Sequence, residues 1–121
     1  MTIENILVVD DSPTERHMLL EILTKSGYKV ATAASGEEVV AMTKEIMPDL
    51  ILMDVVMPGL DGFYATRTIA KSAATKHIPI IICSTKGQET DKIWGMRQGA
   101  IDYIVKPIVV AELLQKITEL G

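Results

Sequence analysis

The chain has 121 residues, 48% of them hydrophobic but only 4% aromatic, with a formal net charge of −4. That length fits one domain able to bury an aliphatic core without staples, and the apolar content excludes a disordered chain. The acidic balance argues against the basic face that nucleic acid or an anionic membrane surface would require.

Cys83 is the only cysteine, so no internal disulfide can form. No apolar run approaches the ~20 residues of a membrane helix, and the N-terminus lacks the basic start of a signal peptide. A cytoplasmic location is the expectation.

The first element is the apolar run Ile6-Leu7-Val8-Val9, followed by Asp10 and Asp11. A helix is expected over 13–26, with Ser12 as N-cap, Pro13 at its first position and Glu15 completing a capping box. Met18, Leu19, Ile22 and Leu23 form its apolar stripe, and Gly27 suits its end. Lys29–Ala33 reads as a weaker strand. Ser35 and Glu38 form a second capping box before a helix carrying Val39, Val40, Met42 and Ile46, which Pro48 follows closely.

Leu50-Ile51-Leu52-Met53 is the third strand, ending at Asp54. Met57-Pro58-Gly59 and Gly62, around Asp61, read as a tight turn into a third helix from about Gly62 to Ser72. Ile80-Ile81-Ile82-Cys83 is the fourth strand, ending at Ser84. A fourth helix is expected over about 88–98, although Gly95 inside it costs ~1 kcal/mol relative to alanine. Tyr103-Ile104-Val105 is the fifth strand, followed by Lys106, Pro107 and a last helix over about 109–120.

Short continuous apolar runs suit strands buried on both faces of a parallel sheet. Their alternation with amphipathic helices predicts five βα units in an α/β fold with helices on both sheet faces. No linker, low-complexity stretch or second domain is evident, and residues 1–121 are expected to form one domain.

In such sheets ligands bind beyond the carboxyl ends of the strands. Asp10, Asp11 and Asp54 stand there, and three converging carboxylates repel one another unless a hard cation such as Mg²⁺ joins them. Lys106 can reach across the same edge as a point charge for phosphoryl oxygens, and its bond to Pro107 permits a cis peptide. The Ser84 hydroxyl can donate to an anion there. Each feature alone is commonplace turn, capping or surface material; their coincidence at several strand ends is what points to a site.

Val9-Asp10-Asp11-Ser12, the run 53–62, Ser84-Thr85 and Tyr103-Ile104-Val105-Lys106-Pro107 together resemble the CheY-like receiver domains of two-component response regulators. The resemblance covers essentially the whole chain. It implies a flavodoxin-like, five-stranded parallel sheet of order 2-1-3-4-5. It also implies that Asp54 accepts a phosphoryl group from a sensor histidine kinase, and that Asp10, Asp11, Asp54 and the Val56 backbone carbonyl hold Mg²⁺. Lys106 then contacts the phosphoryl group, Ser84 is the switch hydroxyl and Tyr103 the aromatic that turns with it. The surface of the fourth helix, fifth strand and fifth helix is the implied docking face for a downstream protein. Thr85, Val56 and Lys86 depart from commoner residues of the family, which bears on hydrolysis of the adduct. Residues 84–100 are further similar to receivers of the PilH type, which act in chemotaxis-like control of type IV pili and twitching or phototactic movement.

The expected protein is thus a signalling switch and not an enzyme, a monomer or weak dimer without an output domain, working through a partner or as a phosphate sink. A phosphatase of the haloacid dehalogenase class also uses a strand-end Asp and Mg²⁺, but needs a second Asp where Val56 stands. A phosphorylation-independent adaptor would usually have lost an acidic or Lys position, and none is lost. His17 and His77 read as surface residues.

Overall fold

The computed structural model describes residues 2–121. Five strands, β1 (Asn5–Val9), β2 (Lys29–Ala33), β3 (Leu50–Met53), β4 (Ile80–Ser84) and β5 (Asp102–Val105), alternate with five helices. These are α1 (Pro13–Lys25), α2 (Gly36–Ile46), α3 (Gly62–Lys71), α4 (Glu89–Gln98) and α5 (Val110–Leu120). The strands form one parallel sheet in the order β2-β1-β3-β4-β5, as expected.

Successive strand residues point to opposite faces. Ile6, Val8, Leu50, Leu52, Ile81, Cys83 and Ile104 meet Leu19 and Leu23 of α1 and Leu113 and Ile117 of α5. Leu7, Val9, Ile51, Met53, Ile80, Ile82 and Tyr103 meet Val39 of α2 and Ala65 and Ile69 of α3. Both faces are covered, which is why the three central strands β1, β3 and β4 read as apolar runs, whereas the edge strand β2 is only partly buried and reads more weakly. Burying side chains such as Leu7 and Ile51 stabilises the fold by about 1.5–3 kcal/mol each.

Two residues expected in helical stripes lie outside the core. Met18 and Ile46 are each 43% exposed. In α1 the spacing of Leu19 and Leu23 defines the buried line, and Met18 falls beside it. Ile46 is the last residue of α2, where Met47 takes a left-handed conformation (φ 47°) and turns the chain away.

Gly95 has a positive reason to be in α4. A Cβ there would lie 2.9 Å from Ile82 Cδ1 and 3.1 Å from Tyr103 Cδ2. The glycine lets α4 approach β4 and β5 more closely than any side chain would permit.

Candidate functional site

Parallel pairing brings three strand ends to one edge. The Asp10 N–H donates to the Ala33 carbonyl, the Asp54 N–H to the Val9 carbonyl and the Lys106 N–H to the Ser84 carbonyl (3.1, 2.9 and 2.8 Å). These bonds continue the ladders one residue past the strands and fix where the side chains start. Gly62 shapes the floor of the β3–α3 turn. A Cβ at this position would overlap the Asp54 carbonyl oxygen, so only glycine allows the turn to close on it.

Oxygens of Asp10, Asp11 and Asp54 lie within 4.8 Å of one another. Asp10 and Asp54 are buried and Asp11 is exposed. Lys106 Nζ sits 2.8 Å from Asp10 Oδ2 and 3.3 Å from Asp54 Oδ1. The Lys106–Pro107 peptide is cis, as the sequence allowed. The structure therefore brings together Asp10, Asp11, Asp54 and Lys106, four of the residues singled out from the sequence.

The electrostatics follow from burial. Burial first, then the charge of Asp10, pushes the Asp54 carboxyl up to about 6, against the opposing pull of Lys106. Burial alone would lower the Lys106 pKa, yet hydrogen bonds to Asp10 and Glu15 and the charge of Asp54 carry it above the ordinary lysine value. Three carboxylates, Asp10, Glu15 and Asp54, meet Lys106, Asp11 has no ion-pair partner among the described residues, and the Arg16 guanidinium donates to the Asp10 carbonyl (2.7 Å). The surplus of clustered hard oxygen donors fits a small divalent cation such as Mg²⁺.

Ser84 and Tyr103 form a second group beside the first. Ser84 is fully buried, and its Oγ accepts from the Lys86 N–H (3.1 Å). The Tyr103 hydroxyl donates to the Lys86 carbonyl (2.6 Å), with its ring packed under Gly95. Both side chains thus engage the same peptide segment after β4. Val56 is 54% exposed, in the turn after Asp54.

Glu15 departs from the expected capping box. The Ser12 Oγ accepts from the Glu15 N–H as foreseen, but the Glu15 carboxylate does not return to Ser12. It lies 2.8 Å from Lys106 Nζ, and the Ser12 N–H donates to Asp10 Oδ1 instead (2.9 Å). A charged lysine outcompetes a neutral backbone donor for a carboxylate. Glu37 was likewise not foreseen: its Oε1 accepts from the Leu60 N–H (2.8 Å), pinning the β3–α3 turn to α2. The only sequence signal for either was an acidic residue in the first turn of a helix that starts at the site edge.

Cys83 is buried, which pushes its thiol up to about 12 and leaves it unreactive. His17 and His77 are exposed. No helix among the described residues is long and apolar enough to cross a membrane.

Residues 6–118 match the response regulator receiver domain family. The chain is 54% identical over 112 residues to protein PilH of Pseudomonas aeruginosa, covering 93% of both. It superposes on the chemotaxis protein CheY4 of Vibrio cholerae with a TM-score of 0.92 at 32% identity, covering 99% of this chain and 100% of that one. A TM-score of 0.89 at 31% identity relates it to the receiver domain of a Pseudomonas aeruginosa sensor histidine kinase. That match covers 98% of this chain and 97% of the other, which carries a magnesium ion in its active-site cleft. With the match spanning nearly the whole chain and the acidic cluster lying at the sheet's carboxyl edge, the chain belongs to the response regulator receiver domains of two-component systems.

Proposed function

We propose that the chain is a phosphorylation-dependent switch in which Asp54 accepts a phosphoryl group from a sensor histidine kinase. The observation that carries this reading is the seating of Lys106 Nζ between Asp10 and Asp54, at 2.8 and 3.3 Å, beside the third carboxylate. An Asp54 oxygen forms the new bond to phosphorus as the P–N bond to the kinase histidine breaks and the imidazole keeps the electron pair. Asp10, Asp11, Asp54 and the Val56 carbonyl would hold Mg²⁺, which supplies charge neutralisation when bound. Lys106 adds a cation whose raised pKa keeps it protonated throughout. Burial of Asp54 excludes bulk water and strengthens each of these interactions.

The adduct brings up to two negative charges and three acceptor oxygens to an edge that Ser84 shares. A Ser84 side chain that rotates to donate to them carries its Oγ away from the Lys86 N–H it accepts from, and Tyr103 is tied to the same residue. That chain of contacts connects the acceptor to the α4–β5–α5 face. Ile93, Met96, Val105, Val109 and Val110 are exposed there and offer apolar contacts to a partner protein. Likeness to PilH supports a role in chemotaxis-like control of pilus-driven movement.

The test is incubation with acetyl phosphate and Mg²⁺, followed by intact-mass measurement. One labile phosphoryl group per chain is expected, absent in Asp54→Asn. Persistence of the adduct in that variant would overturn the assignment. Turnover of many donor equivalents would indicate a phosphatase instead.

A further inference from the structure

Lys106 has three N–H donors, and each has an acceptor: Asp10 and Glu15 at 2.8 Å and Asp54 at 3.3 Å. The ammonium is thus drawn 0.5 Å (3.3 − 2.8) closer to Glu15 than to the acceptor carboxylate. The two shorter contacts differ in how replaceable they are. Asp10 is 2% exposed as a side chain, and abandoning it would leave a buried carboxylate without its partner. Glu15 is 38% exposed, and water can take over its hydrogen bond. A cavity of about 150 Å³ between α1 and the β5–α5 turn, lined by Met18, Leu19, Pro107 and Ile108 as well as this pair, gives the Glu15 stem room to move without repacking.

We infer that Glu15 is a positioning residue that holds Lys106 back on the α1 side of the site, in competition with the phosphoryl group on Asp54. The inference rests on the phosphoacceptor reading above and adds a residue that controls it. When phosphoryl oxygens arrive, Lys106 follows them by surrendering Glu15, the one partner that solvent can replace. Glu15 therefore stabilises the unmodified arrangement relative to the modified one. It also sets its own negative charge against an incoming anionic donor. A residue serving only as a helix cap would do neither.

The test measures binding of beryllium fluoride, a tetrahedral stand-in for the phosphoryl group, in the presence of Mg²⁺. Unsubstituted protein, Glu15→Gln and Glu15→Met are compared. Glutamine keeps an acceptor but loses the charge; methionine loses both. Affinity is expected to rise in that order, by roughly three- to tenfold for methionine, with phosphorylation by acetyl phosphate accelerating in parallel. Melting temperatures without Mg²⁺ establish that each variant folds, and if Glu15→Met does not, the glutamine variant alone decides. Unchanged or weaker binding in folded variants overturns the role given to Glu15 and leaves the acceptor reading standing. Failure of the unsubstituted protein to bind beryllium fluoride or take up phosphate overturns both.

Discussion

Asp54 is a carboxylate whose surroundings discourage its ionisation, and the acceptor role proposed for it depends on reversing that. Burial and Asp10 raise its pKa to about 6, and Lys106 offsets only part of the effect. Asp11 is the third member of the cluster and has no ionic partner among the described residues. Removing it should relieve repulsion while taking away one of the proposed Mg²⁺ ligands. Asp11→Ala is therefore expected to be slightly more stable than the parent without Mg²⁺, by about 0.5 kcal/mol given its exposure. The parent should gain stability as Mg²⁺ is added, following RT ln(1 + [Mg²⁺]/Kd), and the variant should gain much less. Thermal melts with and without Mg²⁺ check both halves. A variant that melts lower in metal-free buffer, or that retains the full Mg²⁺ response, contradicts the cluster. Glu15 shows why not every site residue was legible at this scale. Its spacing from Ser12 satisfies the capping rule, and only the three-dimensional arrival of Lys106 from 91 residues away reveals the stronger claim on its carboxylate.

Among the elements, the central strands were legible because their burial on two faces leaves an unambiguous apolar run, while β2, at the sheet edge and only partly buried, gives a weaker signal. Helix α4 was the least legible, since its buried positions are Gly95 and Gln98, neither of which marks an apolar stripe. Helix propensity alone expects Gly95→Ala to stabilise by about 1 kcal/mol. Packing predicts the opposite sign. The added methyl group meets Ile82, which is fully buried, and Tyr103, which is held by its hydroxyl. A loss of about 1–3 kcal/mol in denaturant unfolding is expected, and a gain would show that α4 can lift off the sheet without penalty. Asp49 ties two other elements together. Its Oδ2 accepts from the Glu4 and Asn5 N–H groups (3.0 and 2.9 Å), joining the start of β1 to the approach to β3. These backbone bonds lower its pKa below the ordinary 3.8. A depressed folded-state pKa means stability that is present above pH 3.8 and lost as pH falls through the folded value. Asp49→Ala should thus cost about 1 kcal/mol near neutrality. The gap between variant and parent should narrow as the pH is taken below 3.8; a gap that widens on acidification would reverse the assigned sign.

At the scale of the whole molecule, the sheet order and the placing of the acidic cluster followed from alternation and from the rule that parallel sheets bind at their carboxyl edge. The route proposed from that edge to a distant face did not, because it depends on which side chains hold the Lys86 backbone. Ser84 holds its N–H and Tyr103 its carbonyl, and Tyr103 in turn packs beneath Gly95 of α4. Trp94, the only tryptophan and half exposed, lies next to Gly95 in α4 and so serves as an intrinsic fluorescent probe of this helix. If the contacts form one two-state unit, beryllium fluoride with Mg²⁺ should change Trp94 emission with the same midpoint as binding measured directly. Ser84→Ala removes the hydroxyl at the acceptor end, and Tyr103→Phe removes the bond at the helix end. Each should still bind beryllium fluoride, because neither supplies a charged ligand, yet each should give a smaller emission change at saturation. Coupling is reciprocal, so a variant that transmits less must also gain less binding energy from the switch, and a modest loss of affinity, about two- to fivefold, should accompany the loss of signal. An emission change of full size in both variants would show that α4 responds by another route, and no change in the unsubstituted protein at saturation would show that it does not respond at all.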